Sequence, residues 1–217
     1  MNPKKRNKTP LLLNTWAGAV LAGGESQRFG ANKLLLPLPN GKLLCQQVGD
    51  SLRPHCEALF CLSNSLPLRG FVRLDDWQAQ KGPMAGVMSA LDAMNSEWLL
   101  VVGGDMPWVT PELVEWFQRQ MVPESTRPWC GLSTGGLEPL FSAWPRSITP
   151  RVSELWEKGI RSPRSILRAL NVRPCRPPSH LGGVKIVHPL RSINRPEDWD
   201  SLLLEWKPSS QPPQPAD

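Results

Sequence analysis

Leu21-Ala22-Gly23-Gly24-Glu25-Ser26-Gln27-Arg28-Phe29-Gly30-Ala31-Asn32-Lys33 is the stretch on which the fold of this chain is read. It follows a short apolar run, Ala17 to Leu21, with the character of a buried β-strand. Three glycines, Arg28 and Lys33 are then concentrated in a single connection. Glycine permits positive φ and lets a ligand approach the peptide groups with no Cβ in the way. Successive free N–H groups in such a turn form an anion-binding concavity, and two cations add charge complementary to a polyphosphate. The segment reads as a cradle for a nucleoside triphosphate at the end of the first strand.

Two other phosphate loops are excluded by spacing. The pattern G-x-G-x-x-G fails because Gly23 and Gly24 are adjacent and Gly30 comes six residues later. The pattern G-x-x-x-x-G-K-[ST] fails because Asn32 precedes Lys33 and Leu34 stands where a hydroxyl should reach magnesium.

Outward from the loop, apolar runs alternate with helical patterns. Strands are expected at 17–21, 58–62, 71–74, 98–102 and 184–187. Helices are expected at 43–52, 84–94, 111–121, 147–158, 162–170 and 196–205. Thr110-Pro111-Glu112 supplies a capping residue and a proline at the first helical position. This alternation indicates an α/β fold whose mostly parallel sheet is covered on both faces, with ligands bound beyond the carboxyl ends of the strands.

The motif Val101-Val102-Gly103-Gly104-Asp105-Met106-Pro107 ends at that same edge. Pro107 keeps Met106 out of helix. A hard divalent cation on nucleotide phosphates needs one or two carboxylates, with phosphate oxygens and water completing its shell, and Asp105 is the candidate. A third motif, Lys81-Gly82-Pro83-Met84-Ala85-Gly86, opens a helix with proline at its start, and Ala85 and Gly86 leave room for a flat ring.

Together these motifs resemble the nucleotidyltransferases of the molybdenum-cofactor guanylyltransferase type, whose signature is L-A-G-G-x-S-x-R-[MF]-G-x-x-K. The resemblance spans roughly 17–205 and implies a Rossmann-like three-layer α/β/α nucleotidyltransferase fold. It implies nucleotide binding by Leu21, Ala22, Gly23, Gly24, Lys33, Asn64, Asp75, Gly82, Pro83 and Asp105. Asp76 shares the claim of Asp75. Magnesium, as Mg2+, would sit on Asp105, and Arg28 and Lys33 would be catalytic. Ser192-Ile193-Asn194-Arg195-Pro196-Glu197-Asp198 resembles the family's N-x-N-x-P-E-[DE] element and places Asn194 on the pterin side, with Ser192 in place of the first Asn. Asn32 stands where an Asp commonly precedes the lysine. Gly136-Leu137-Glu138-Pro139-Leu140 fits a family segment that precedes a strand, with Glu138 an unusual residue there. The implied reaction joins GMP from GTP to molybdopterin, and molybdoenzymes or their chaperones are candidate partners. The alternatives are a cytidylyltransferase or sugar-phosphate nucleotidyltransferase on the same fold, or a nucleotide-binding accessory protein without turnover.

Composition bounds these readings. The 217 residues suit one domain over 15–206, flanked by a basic leader (1–14) and a Pro-rich tail (207–217) that cannot pack. No run approaches the ~18 apolar residues of a membrane span. Leu11-Leu12-Leu13 is too short for a secretory core, so a cytoplasmic location and no membrane partner are expected. The net charge is +6, but Lys4, Lys5, Arg6 and Lys8 supply much of it, and no aromatic-interleaved basic stripe suggests nucleic acid. Five cysteines without a C-x-x-C pair read as reduced, mostly buried thiols.

Overall fold

The structure, a computed structural model, describes residues 15–23, 32–63, 68–75, 82–122 and 125–206. Its first strand, β1 (Trp16–Leu21), is followed by α1 (Leu44–Leu52), β2 (Ala58–Leu62) and β3 (Val72–Leu74). Next come α2 (Pro83–Ala93), β4 (Trp98–Gly103) and α3 (Pro111–Gln118). A hairpin of β5 (Trp129–Ser133) and β6 (Gly136–Pro145) leads into α4 (Thr149–Glu157), α5 (Pro163–Ala169) and β7 (Arg173–Cys175). The short strands β8 (His180–Leu181) and β9 (Val184–Lys185) precede the final helix, α6 (Pro196–Glu205).

Seven strands form one sheet in the order β3-β2-β1-β4-β6-β5-β7. Only β6 runs against the others, pairing antiparallel with both β4 and β5. The remaining neighbours are parallel, which makes this a mostly parallel α/β sheet.

Strand periodicity explains the layering. Trp16 and Val20 of β1, with Trp98, Leu100 and Val102 of β4, enter one core beneath Val48 and Leu52 of α1 and Leu113, Val114 and Phe117 of α3. The alternate residues Ala17 and Ala19, with Leu99 and Val101, face a second core. That core is closed by Met84, Val87 and Met88 of α2, Val152 and Leu155 of α4, and Ile166 and Leu167 of α5. Period-2 alternation with both faces buried is what a sheet between two helical layers demands. Gly18 permits the contact of α1 on β1, since a Cβ there would lie 2.8 Å from Leu52 Cδ2.

The structure departs from the sequence reading in several places, among them the edge strand β7, which the sequence reading did not include. The hairpin β5–β6 was not anticipated, and Gly136–Leu140 is the first half of β6, not a segment ahead of a strand. The apolar run at 184–187 joins a separate two-stranded hairpin with β8, outside the main sheet, leaving Val184 and Val187 exposed. Residues 146–148 form a 3-10 turn, so α4 begins at Thr149. Thr110 caps α3 as expected, its hydroxyl accepting from the Leu113 amide at 3.3 Å, with Pro111 in the first turn.

Candidate active site

Four parallel strands end in one row. Leu74, Leu62, Leu21 and Gly103 are successive register partners across β3, β2, β1 and β4. The residues that follow them, Asp75, Ala22 and Gly104–Asp105, therefore emerge from the same carboxyl edge. The edge is stitched further by the Ala22 amide donating to the Leu62 carbonyl at 3.1 Å and the Gly104 amide donating to the Leu21 carbonyl at 2.9 Å. Glycine suits position 104, because a Cβ there would lie 3.0 Å from the Leu21 oxygen, tighter than an ordinary contact.

Lys33 meets Asp105 at this edge. Its ammonium donates to Asp105 Oδ2 at 2.7 Å, to the Ile193 carbonyl, and weakly to Asn194 Oδ1 at 3.5 Å. The ion pair is largely shielded, with side-chain exposures of 16% and 17%. Lys33 opens a 3-10 turn capped by Asn32, whose Oδ1 accepts from the Leu34 amide at 3.1 Å. Thus Asn32 has a local structural part where an Asp is common in the resembling family. Of the apolar stretch after Lys33, Leu34 and Leu38 are buried and Leu35 is exposed, so the anchor is narrower than the run of leucines suggests.

The carboxy-terminal segment completes the arrangement. The Ile193 amide donates to the Asp105 carbonyl at 2.8 Å, while its own carbonyl receives Lys33. Asp198 Oδ2 accepts from the amides of Asn194 at 2.8 Å and Arg195 at 2.9 Å, fixing the entry to α6. Ile193 is buried with Leu38, Leu44 and Leu202 in a small third cluster flanked by Trp108, Trp199 and Trp206. Two segments some 90 residues from each other in sequence are thereby locked together beside Lys33.

Other sequence-derived residues take separate stations. Asp75 follows β3; its carboxylate is exposed and 3.6 Å from Arg73, and its carbonyl accepts from Ser89 of α2 at 2.9 Å. Gly82 caps α2 at φ 80°, a conformation that favours glycine, and Pro83 begins the helix. Gly23 lies just beyond β1. Gly24, Arg28, Asn64 and Asp76 lie outside the described residues. Sequence reading missed Ile193, because its contribution is a backbone N–H and C=O that carry no side-chain signature. Among the described residues no cluster of three metal-ligating side chains is present, and Asp105 is the carboxylate at this point. No helix among them is long and apolar enough to cross a membrane.

Residues 18–174 match the model of the MobA-like NTP transferase domain. The chain belongs to this family. A molybdenum cofactor guanylyltransferase from Pseudomonas putida is 31% identical over 149 residues, covering 66% of this chain and 77% of the relative. A relative from a Geobacillus strain, named "probable molybdenum cofactor guanylyltransferase", is 26% identical over 88% of this chain and 100% of its own length. The crystal structure of molybdopterin-guanine dinucleotide biosynthesis protein A from Archaeoglobus fulgidus superimposes with a TM-score of 0.65 at 23% identity, covering 85% of this chain and 95% of that one. This MobA-like chain is a nucleotidyltransferase-family protein, and its α/β sheet is the family's fold.

Proposed function

We propose that this chain, as a single nucleotidyltransferase domain over 15–206, transfers GMP from GTP to the terminal phosphate of molybdopterin. A phosphate oxygen of molybdopterin forms a bond to the α-phosphorus, the bond from that phosphorus to the bridging oxygen breaks, and pyrophosphate leaves. The product is molybdopterin guanine dinucleotide. The observation that carries the reading is the shielded Lys33–Asp105 pair at the edge where β1 and β4 end. Relatives named molybdenum cofactor guanylyltransferase support the choice of a guanylyl group and of the molybdenum cofactor as its acceptor.

The nucleophile is already an anion, so no strong general base is needed, and catalysis lies in positioning and charge neutralisation. Lys33, with Arg28, is assigned to the phosphate charge, and the backbone at Gly23–Gly24 to the triphosphate. Asp75, Asn64, Gly82 and Pro83 are assigned to the nucleoside side, and Asn194 to the pterin side.

Mg2+ fits the carboxylate of Asp105 at the strand edge, with phosphate oxygens and water to complete its shell, while the Ile193 carbonyl and Asn194 Oδ1 stay with the Lys33 ammonium. Such hard oxygen donors suit magnesium, and Asp105 would hold it. When bound, the ion adds positive charge beside the phosphates.

The reading is tested by pyrophosphate release from each of the four nucleoside triphosphates, with and without molybdopterin. Release from GTP that depends on molybdopterin is expected. Preference for CTP would move the protein to the cytidylyl branch, and tight nucleotide binding without turnover would make it a carrier.

A further inference from the structure

Arg191 is a feature that the proposed chemistry leaves unused. Its guanidinium carbon lies 4.0 Å from the centroid of the Trp108 ring, within cation–π range. On its other side Nη2 reaches the carboxylate of Glu205, the last residue of α6, at 3.4 Å and 3.5 Å. Its Nε is buried without a hydrogen-bond partner among the described residues. A half-buried cation held against a ring, with its Nε shut away from solvent, is an ordering device more than a solvated surface charge. The place of the two ends is informative. Trp108 comes three residues after Asp105, and Arg191 comes two residues before Ile193, whose N–H and C=O contact Asp105 and Lys33.

We propose that Arg191 is a positioning residue: clamped between Trp108 and Glu205, it latches segment 191–194 onto the Asp105 turn. In that role it sets where the Ile193 carbonyl and Asn194 Oδ1 hold the Lys33 ammonium. The catalytic part of the proposal rests on the reading that Lys33 and Asp105 serve phosphate transfer; the latch itself does not. Arg191 touches no reacting atom and acts through the backbone of Ile193. Guanidinium planarity matters, since a planar cation 4.0 Å from the indole centroid can lay a face on the ring and keep an edge for a carboxylate.

The test compares the wild-type chain with Arg191→Met, Arg191→Lys and Glu205→Gln. Glu205→Gln removes one jaw of the clamp and leaves the cation on its ring, so it stays informative where Arg191→Met fails to fold. Hydrogen exchange at the Ile193 amide reads the latch without any turnover. That amide should exchange about tenfold faster in Arg191→Met, and faster to a smaller degree in Glu205→Gln, with global unfolding little changed. In GTP turnover, kcat per folded molecule should fall about tenfold in Arg191→Met while KM for GTP changes little, and Arg191→Lys should recover part of it. Unchanged exchange at Ile193 in the folded variants would overturn the latch. Faster exchange with unchanged kcat would overturn the positioning role. A wild-type chain that binds GTP without turnover would sink the catalytic reading alone, leaving the exchange experiment to decide the latch.

Discussion

Lys33 and Asp105 are two side chains of ordinary chemistry made unusual by where they meet. At 2.7 Å and with little exposure, the pair has given up much of its hydration for mutual charge and the Ile193 carbonyl. Asp105→Asn keeps the shape and an oxygen that Lys33 can still donate to, while removing the formal charge a hard cation needs. Turnover should fall by about 100-fold or more in a chain that still folds, with thermal unfolding lowered somewhat because the shielded Lys33 ammonium loses its paired charge. Near-normal turnover at saturating Mg2+ would take Asp105 out of the metal role. Lys33→Ala separates a catalyst from a carrier. If the ammonium stabilises charge that develops only during transfer, kcat should drop by about 100-fold while GTP affinity weakens much less. Steady-state kinetics and GTP titration by tryptophan fluorescence, with Trp108 near the Asp105 turn, make that comparison. Loss of affinity at constant kcat would contradict the catalytic assignment.

The turn that joins β4 to Asp105 is where an element, not a side chain, sets the site. Gly104 donates its amide to the Leu21 carbonyl, and the same oxygen would sit 3.0 Å from an added Cβ. Backbone cannot rotate away as a side-chain tip can, so Gly104→Ala should cost about 1–3 kcal/mol and displace Asp105 with it. Gly23→Ala is the contrast, because its Cβ would meet the Leu62 oxygen at 3.5 Å, an ordinary contact. Urea unfolding of both variants checks this; equal losses would mean that the β1–β4 edge yields more easily than its geometry indicates. These strands were legible in sequence because Ala17–Leu21 and Trp98–Val102 are continuous apolar runs buried on both faces. The β5–β6 hairpin was not, because Pro139 and Pro145 fall within β6, its first half is only partly buried, and a register shift at Cys130/Gly131 breaks any alternation. Asp105 was legible as a residue placed by the end of β4, whereas Lys33, which opens a 3-10 turn well past β1, was read from the spacing of the Gly-rich motif. The Ile193 contribution was hidden, since a main-chain carbonyl that reaches Lys33 across 160 positions has no local signal.

Across the whole molecule, thiols report on how completely the two helical layers seal the sheet. Cys45 lies in one core and Cys130 in the other, all five cysteines are free, and burial is the leading cause of every shift. Burial pushes Cys45 and Cys175 up to about 11, and Cys56 and Cys130 up to about 12, from an ordinary value of 9.0. The unfolded chain therefore releases these protons near pH 9, while the folded chain keeps them until about pH 11 to 12. Within that window the unfolded state binds fewer protons, so stability falls as pH rises; below pH 9 the contribution is complete. The chain has no tyrosine, so no phenol titrates in the same window and tryptophan emission follows unfolding without tyrosinate interference. Urea midpoints measured under reducing conditions should hold steady from pH 7.5 to about 9 and then decline toward 10.5. Cys130→Ala opens a small void that costs stability at every pH, but it removes one thiol from the linkage, so its decline should be shallower and its deficit should narrow with pH. Parallel declines in the two proteins would show that Cys130 ionises as readily in the folded chain as in the unfolded one, and that solvent reaches the layer beneath β5.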